Sequence, residues 1–540
     1  MSTTLRISSF FLIIFLSLGT QAAALHHLDN DSLILASVKD GQLEILTGLV
    51  TNESDINREF GNDRRTLLSY AVEHNQGEIT KFLLEIGANP EGMDERKTPL
   101  MFAARYGRTS ILNLLIAGNA DVNAINNSRN TAFHYAAKYN RFDILKILFN
   151  NGAKINIPNS DQWTALDYSI INNKPDIREY LKSIGCILFE KELPNYFDGP
   201  YIETENDSTL RIDYLIHKNG KRASSIYSNK VARDDSDLLI KGIKKDRKKY
   251  SIQANHIIPI SIHKPAEKIF VMGDIHGQYS RMIEMLKKGG VIDNKLNWKW
   301  GNGHLVFVGD ILDRGEGVME AFWLIYKLEQ QAKKKNGQVH LVLGNHEAMI
   351  LKNDIRYIAN KYYGLCSNLE LDYYKLFSPE TIIGDWLRKK NVVEVIGNTM
   401  FVHAGISEEL LSMNMTVAEI NDSFRHFLNC NNKELYTDLD KFIISSYGPV
   451  WYRGYVRASS GYEEIKQEAL DRVLNHYSVD QIVIGHTEVD LIEPIKNKRV
   501  YPVNIPLADK RIEGQALLIE SNSFYRITTR KILTKLNNLP

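Results

Sequence analysis

Three short apolar runs between Phe270 and Glu347 each break off at glycine into a polar signature: IFVMGDIHG, HLVFVGDILDRG and VHLVLGNHE. Brief runs rich in Val, Ile, Leu and Phe that stop this abruptly read as buried strands rather than helices. Polar, helix-favouring segments separate them, over residues 279–288 and 319–335. Asp274, Asp310 and Asn345 consequently stand 36 and then 35 residues apart, about one β-α-β unit each. In a sheet built that way, residues just past the carboxyl ends of parallel strands meet in one crevice. What meets here is Asp, His, Asp, Asn and His, a donor set suited to a hydrolytic metal site.

Upstream, the chain repeats itself from about residue 31 to Cys186. The copies RRTLLSYAVEHNQGEITKFLLEIGANPE, RKTPLMFAARYGRTSILNLLIAGNADVN, RNTAFHYAAKYNRFDILKILFNNGAKIN and QWTALDYSIINNKPDIREYLKSIGC align in register. Thr66, Thr98, Thr131 and Thr164 within them are 32, 33 and 33 residues apart. A degenerate copy, LILASVKDGQLEILTGLV, begins the array. With a T-x-L-x-x-A opening, a second apolar helix and a G-A-x-x-N turn, the units resemble ankyrin repeats, about five in all. A helix pair of this size cannot bury its apolar face alone, so neighbours stack into one continuous core. Leu83, Leu84, Leu114, Leu115, Ile147 and Leu148 are assigned to that core, and His74 and His134 to structural positions. The resemblance implies a concave face that binds another protein, either a substrate or a regulator.

A chain of 540 residues exceeds one ordinary domain. Its net charge of +1 offers no bulk attraction to nucleic acid or anionic lipid, and no nucleic-acid partner is expected. Cys186, Cys366 and Cys430 lie too far apart for a disulfide framework or a zinc motif, so metal ligands come from elsewhere. The start of the chain has the pattern of a secretory signal: Arg6, apolar residues 9–18, then Ala22, Ala23 and Ala24 at a cleavage position. Cleavage near Ala24 and export to the periplasm or the medium are expected, leaving no stable membrane span, with an uncleaved membrane anchor as the alternative. Action inside a host cell is the setting in which export and ankyrin repeats are compatible.

Between the repeats and the apolar runs, TLRIDYLIHKNGKRASSIY alternates around Asn219-Gly220, a hairpin signal. The basic cluster at 241–249 that follows reads as a solvated linker face. The expected divisions are a signal peptide at 1–24, ankyrin repeats at 30–186, a connector with some β-structure at 187–264, a catalytic domain at 265–530 and a tail at 531–540.

The motifs G-D-x-H-G (273–277), G-D-x-x-D-R-G (309–315) and G-N-H-E (344–347), followed by His403-Ala404-Gly405 and Gly485-His486-Thr487, resemble the signature of the calcineurin-like metallophosphoesterases in their phosphoprotein-phosphatase branch. GPVWYRG (448–454) resembles more narrowly the bacterial, Shewanella-like phosphatases. For residues 265–530 the resemblance implies a four-layer α/β/β/α sandwich, so that the whole chain joins an α-helical ankyrin solenoid to an α/β domain. It implies two divalent or trivalent metal ions, Mn, Fe or Zn with manganese favoured. Asp274 and His276 would hold the first, Asp310 would bridge, and Asn345, His403 and His486 would hold the second. Arg314, Arg453 and Asn345 would bind the substrate phosphate, with Arg425 and Arg457 as substitutes for Arg453. His346 would protonate the leaving group, oriented by Asp313. The implied reaction is in-line displacement of a phosphomonoester by a bridging metal hydroxide, without a phosphoenzyme.

Two departures from the family pattern fall at Ala404 and at Asn504, where relatives often carry Gly and Asp; both bear on substrate fit. A phosphoprotein phosphatase acting on phosphoserine/threonine or phosphotyrosine is the expected function. Two alternatives stand beside it: a small-molecule phosphoesterase, such as a dinucleotide polyphosphate hydrolase, and a catalytically weak binding scaffold.

Overall fold

A computed structural model describes residues 30–50, 56–60, 65–92, 97–172, 174–188, 196–206, 208–217, 224–232, 238–241, 247–250, 252–253, 255–456 and 463–536. The signal at 1–24, the Asn219-Gly220 pair and Arg457 lie outside these residues. The chain divides into two compact units, with the boundary between residues 191 and 192.

The first unit contains five helix pairs, Asn30–Asp40 with Leu43–Leu49, Leu67–Glu73 with Gly77–Glu85, Pro99–Tyr106 with Thr109–Ala117, Ala132–Lys138 with Phe142–Asn150, and Ala165–Ile171 with Pro175–Ser183. The repeated threonine starts each first helix from the second pair onward. Oγ1 of Thr66, Thr98 and Thr131 accepts from Ser69 N at 3.3 Å, Met101 N at 3.3 Å and His134 N at 3.4 Å, which satisfies a backbone donor that the helix cannot. Leu83, Leu115 and Leu148 are buried in the stack, while Leu84, Leu114 and Ile147 are half-buried beside them. His134 is structural, as expected. Its Nδ1 accepts from Thr131 N at 3.1 Å, leaving Nε2–H to donate to Trp163 O at 3.0 Å in the next repeat. Burial pushes this imidazole down to about 4, so it links the repeats as a neutral group.

The second unit begins with an antiparallel meander of β1 (Tyr196–Asn206), β2 (Thr209–His217) and β3 (Ser224–Ala232). The expected hairpin is the β2–β3 ladder, paired from Thr209 with Ala232 to His217 with Ser224. Residues at both ends of the basic cluster take part in a two-stranded ribbon, in which β4 (Leu238–Lys241) pairs with β5 (Arg247–Tyr250), in keeping with a connector that carries some β-structure.

The catalytic strands follow: β6 (Ile262–His263), β7 (Lys268–Met272), β8 (His304–Phe307), β9 (Gln338–Leu341), β10 (Val393–Ile396), β11 (Thr399–Val402), β12 (Gln481–Ile484), β13 (Val500–Pro502), β14 (Gln515–Glu520), β15 (Ser523–Thr528) and β16 (Leu533–Lys535). They form a six-stranded sheet in the order β16-β15-β14-β7-β8-β9 and a five-stranded sheet in the order β13-β12-β11-β10-β6. Alternate residues of both sheets, among them Val271, Val306, Phe401, Val483 and Tyr501, interlock in one core between them. The connecting helices Tyr279–Lys288 and Val318–Lys333 join β7, β8 and β9 in parallel register, and the helix Val417–Asn429 packs on β10. The result is the four-layer α/β/β/α sandwich. Among the described residues, no helix is long and apolar enough to cross a membrane.

The expected boundaries at 264 and 530 need moving. β6 lies within the expected connector yet pairs with β10, and β16 lies within the expected tail yet extends the larger sheet past β15. The meander is likewise part of this unit. Trp323 Nε1 donates to Pro200 O at 2.9 Å, Asn368 Nδ2 donates to Ser224 Oγ at 3.1 Å, and the Lys361 ammonium pairs with the Asp198 carboxylate. The side chains of that ion pair are 5% and 0% exposed. Removing one partner strands the other charge in the interior. Lys361→Met is therefore expected to cost about 3 kcal/mol of stability. The check is a denaturant melt with Lys361→Met/Asp198→Asn beside it, which should recover part of the loss; a single variant that melts like wild type would refute the assignment.

Candidate active site

The site is built where three strands of the larger sheet run out. After β7, Ile275 N and His276 N both donate to Asp310 O, at 2.9 and 2.8 Å, which ties the first loop to the second. After β8, the loop carrying Asp310, Asp313 and Arg314 turns through left-handed backbone, with φ of +53°, +71° and +60°. His276 at +46° and His486 at +61° share this conformation. Non-glycine residues rarely adopt it, and a cluster of them marks a site that the surroundings hold in shape. Two glycines make room for the charges. A methyl group on Gly344 would run into Asp310 Oδ1, and one on Gly485 would press on Asp274 Oδ1.

All ten residues singled out from the sequence lie in or beside this crevice. His276 Nε2 sits 3.8 Å from both Asp274 Oδ2 and Asp310 Oδ2. His403 Nε2 is 3.2 Å from Asp310 Oδ2 and 3.0 Å from Asn345 Oδ1. His276 Nδ1 and His403 Nδ1 are spent on backbone carbonyls, Leu312 O at 3.0 Å and Val308 O at 2.6 Å. Those bonds set the tautomer and leave Nε2 of each ring facing the carboxylates, an outer-shell arrangement common to metal-binding histidines. His486 N donates to Asp274 Oδ1 at 3.1 Å, while its buried Nε2 has no hydrogen-bond partner in the protein.

Asp310 is common to two donor groups, His276–Asp310–His346 and Asp310–His403–His486. By proximity alone, His346 could be a ligand. Its Nδ1, however, is bound to Asp313 Oδ2 at 2.6 Å, and its Nε2 stands 3.8 Å from Asp310 Oδ2. Arg314 is exposed, with Nη1 3.3 Å from Glu488 Oε1, and its charge acts on His276 and His346. Arg453 acts in the same way on His486, whose ring also meets Trp451 edge-on at 5.8 Å. Arg425 is no substitute. Its guanidinium is engaged by Asn391 Oδ1 at 2.7 Å and Asp422 Oδ1 at 2.6 Å, away from this crevice.

The charges fit bound cations. Burial and the neighbouring Asp310 push the Asp274 carboxyl up to about 7 against the pull of His403, while His403, His346 and His276 hold Asp310 well below its ordinary value. Burial, His403 and Arg453 together push His486 well down, so its ring is neutral, and its buried Nε2 makes no hydrogen bond in the protein. Carboxylate oxygen, amide oxygen and neutral imidazole form a ligand set for borderline divalent ions such as zinc or manganese.

Two residues with no role assigned from the sequence prove central. Glu347, fully buried, accepts from Asp310 N and Ile311 N at 2.8 Å, Gly344 N at 2.9 Å and Leu312 N at 3.0 Å. Asn504, noted above as a departure, donates through Nδ2 to Asp274 Oδ2 at 2.7 Å. An aspartate could not make that bond without a proton. For Glu347 the only advance signal was its place three residues after a glycine at a helix start, where an acidic side chain reaches back to the N-cap backbone.

Comparison with known proteins agrees with this geometry. Residues 267–490 match the family described as calcineurin-like phosphoesterase, and residues 33–126 and 100–190 match ankyrin repeats. The chain is 26% identical to Shewanella-like protein phosphatase 2 of Arabidopsis thaliana over 338 residues, which is 52% of this chain and 82% of that protein. It is 28% identical to the asymmetrical bis(5'-nucleosyl)-tetraphosphatase PrpE of Oceanobacillus iheyensis, over 27% of this chain and 58% of that one. The solved cold-active protein-tyrosine phosphatase of a psychrophilic Shewanella species superposes with a TM-score of 0.56 at 30% identity, covering 63% of this chain and 99% of that one.

Proposed function

The chain belongs to the calcineurin-like phosphoesterases, a metal-dependent phosphatase with ankyrin repeats ahead of its catalytic domain, and we propose that its substrates are phosphoproteins recruited through those repeats. The observation that carries this reading is the joining, in one chain, of a protein-binding repeat array to a crevice where Asp274, Asp310, His403 and His486 converge between two arginines. A small metabolite needs no docking solenoid.

In this reading Asp274, His276 and Asp310 hold one metal, and Asp310, Asn345, His403 and His486 hold a second. When bound, such a pair supplies Lewis-acid activation of a water nucleophile and neutralises charge on the transferring phosphoryl group. The chain's own groups do the rest. Arg314 and Arg453 each present a fork of donors to phosphate oxygens, with Asn345 beside them, and so favour the charge distribution of the transition state over that of the ester. The proton for the departing oxygen comes from His346 Nε2, because Asp313, 2.6 Å from Nδ1, fixes the ring with Nε2 turned to the crevice.

His346→Asn is expected to lower kcat by about 10²–10⁴-fold on phosphoserine or phosphotyrosine peptides. The loss should be far smaller on para-nitrophenyl phosphate, whose leaving group needs no proton. Equal losses on both would remove the acid role. The substrate class is tested with manganese-loaded full-length protein, by phosphate release from peptides and by mononucleotide formation from a dinucleotide polyphosphate. Phosphoserine/threonine and phosphotyrosine peptides would be compared with a dinucleotide polyphosphate, the substrate class of the PrpE relative. Turnover of the nucleotide alone would overturn the phosphoprotein reading. The apolar start of the chain supports export of the enzyme, a reading that amino-terminal sequencing of secreted material checks.

A further inference from the structure

We propose that the edge of the sandwich formed by β6 and β9 carries a further metal site, structural in role, in which His263, His340 and Glu394 hold a borderline divalent ion such as zinc. The site is separate from the catalytic crevice and does not depend on the phosphatase reading.

Strand alternation brings the cluster together. His304 and Val306 share one face of β8, His340 and Val342 one face of β9 and the residues after it, and Glu394 and Ile396 one face of β10. Val306, Val342 and Ile396 belong to the core between the sheets, so the polar members of these pairs point into the same interior. Glu394 is 2% exposed. Its Oε1 accepts from Asn391 Nδ2 at 3.1 Å. Its Oε2 lies 2.5 Å from His340 Nδ1 and 3.3 Å from His263 Nε2. Among the described residues, no lysine or arginine pairs with this carboxylate. The side chain of His263 is 7% exposed, yet neither of its ring nitrogens has a hydrogen-bond partner.

A buried carboxylate that faces imidazoles alone, and a buried imidazole that lies 3.3 Å from it without the geometry of a hydrogen bond, are each incompletely satisfied. One divalent ion between them answers both. His340 Nδ1 and Glu394 Oε2, 2.5 Å apart, share a proton, while His340 Nε2 stands 3.0 Å from His304 Nδ1; a bound ion would take the place of the proton between ring and carboxylate. Asn391 fixes the carboxylate from its far side, so both ligands have an outer shell. Ligands about 2.0–2.1 Å from a tetrahedral zinc lie about 3.3 Å from one another. His263 Nε2 and Glu394 Oε2 already have that separation, and His340 Nδ1 has to withdraw by about 0.8 Å to reach it. The fourth position is left to water. The ion would fasten β6, an edge strand only two residues long, to both sheets.

The test uses the full chain in an Asp310→Asn/His486→Asn background, which removes the catalytic metals, with zinc alone as the probe. The expected result is one zinc per chain by elemental analysis after dialysis, and a melting temperature that rises with zinc. Adding His263→Gln should abolish both, and adding Asn391→Ala should weaken zinc binding by about 10–100-fold. Glu394→Gln changes a buried charge and risks misfolding, so His263→Gln, whose ring nitrogens make no bond, is the deciding variant. In otherwise wild-type protein, His263→Gln should lower the metal count by one and leave phosphate release intact. No zinc in the background protein, or an unchanged count in His263→Gln, overturns the proposal and leaves a cluster bridged by protons only.

Discussion

Asp310→Asn is expected to abolish phosphatase activity while the protein stays folded. The substitution keeps the shape of the scaffold. Asparagine tolerates the left-handed backbone at this position, where φ is +53°. Its Oδ1 can still accept from His346 N, which stands 3.0 Å from the aspartate oxygen. What changes is the charge that both donor groups share. An amide nitrogen would face His403 Nε2 in place of Oδ2, at a separation of 3.2 Å, and repel any cation held there. If two metals supply several kcal/mol of transition-state stabilisation, then losing the carboxylate between them costs about 10³-fold or more in kcat/KM. Metal content should fall with activity, and the metal-free variant should melt somewhat lower than metal-free wild type, because the carboxylate that pairs with buried His403 is gone. Activity within tenfold of wild type at an unchanged metal count would show that the crevice does not work through Asp310.

Reading the sequence located the site better than its support. The apolar runs after Ile269, His304 and Gln338 are so short and so purely aliphatic that only buried strands accommodate them, and each supplies its donor within a few residues of the strand end. The helix expected at residues 279–288 is the helix Tyr279–Lys288, and that expected at 319–335 is Val318–Lys333. The ankyrin helices were equally legible, because a threonine cap recurring at a fixed period repeats its own signal. What stayed hidden depends on contacts between distant segments. The meander looked like a connector until Asp198 met Lys361 and Pro200 met Trp323, more than 120 residues away. Asn504 looked like a departure from pattern until its amide was placed on Asp274, 230 residues earlier. The β6–β9 edge cluster is drawn from four strands of two sheets, and no spacing along one strand announces it. The alternation of His304 with Val306, and of His340 with Val342, was the available hint that both rings face inward.

Glu347→Ala is expected to be the most damaging single change in the catalytic unit, although Glu347 sits one residue beyond the proposed acid and at hydrogen-bond distance from no metal-binding side chain. Its two oxygens accept four backbone N–H groups, from Asp310, Ile311, Leu312 and Gly344. All four are interior, and alanine leaves each without a partner. An unsatisfied buried donor costs about 1–3 kcal/mol, so the four together cost at least about 4 kcal/mol. A domain of ordinary stability has about 5–15 kcal/mol in all. The damage also has a direction, since the freed donors hold the loop that keeps Asp310, Asp313 and Arg314 at positive φ. Once released, that loop can relax toward ordinary backbone and carry the carboxylate out of place, so kcat/KM should fall even at temperatures where the variant is still folded. Glu347→Gln should rescue little, because its amide nitrogen must face two of the same N–H donors whichever way it is turned. Chemical denaturation and steady-state kinetics below the variant's own melting point separate the two effects. A melt like that of wild type would mean that the loop is held by something else, whereas a lowered melt with normal kcat/KM would make Glu347 a residue of the fold alone. The combined loss is the expected outcome, because the residues it holds combine left-handed backbone with the groups on which the proposed chemistry depends.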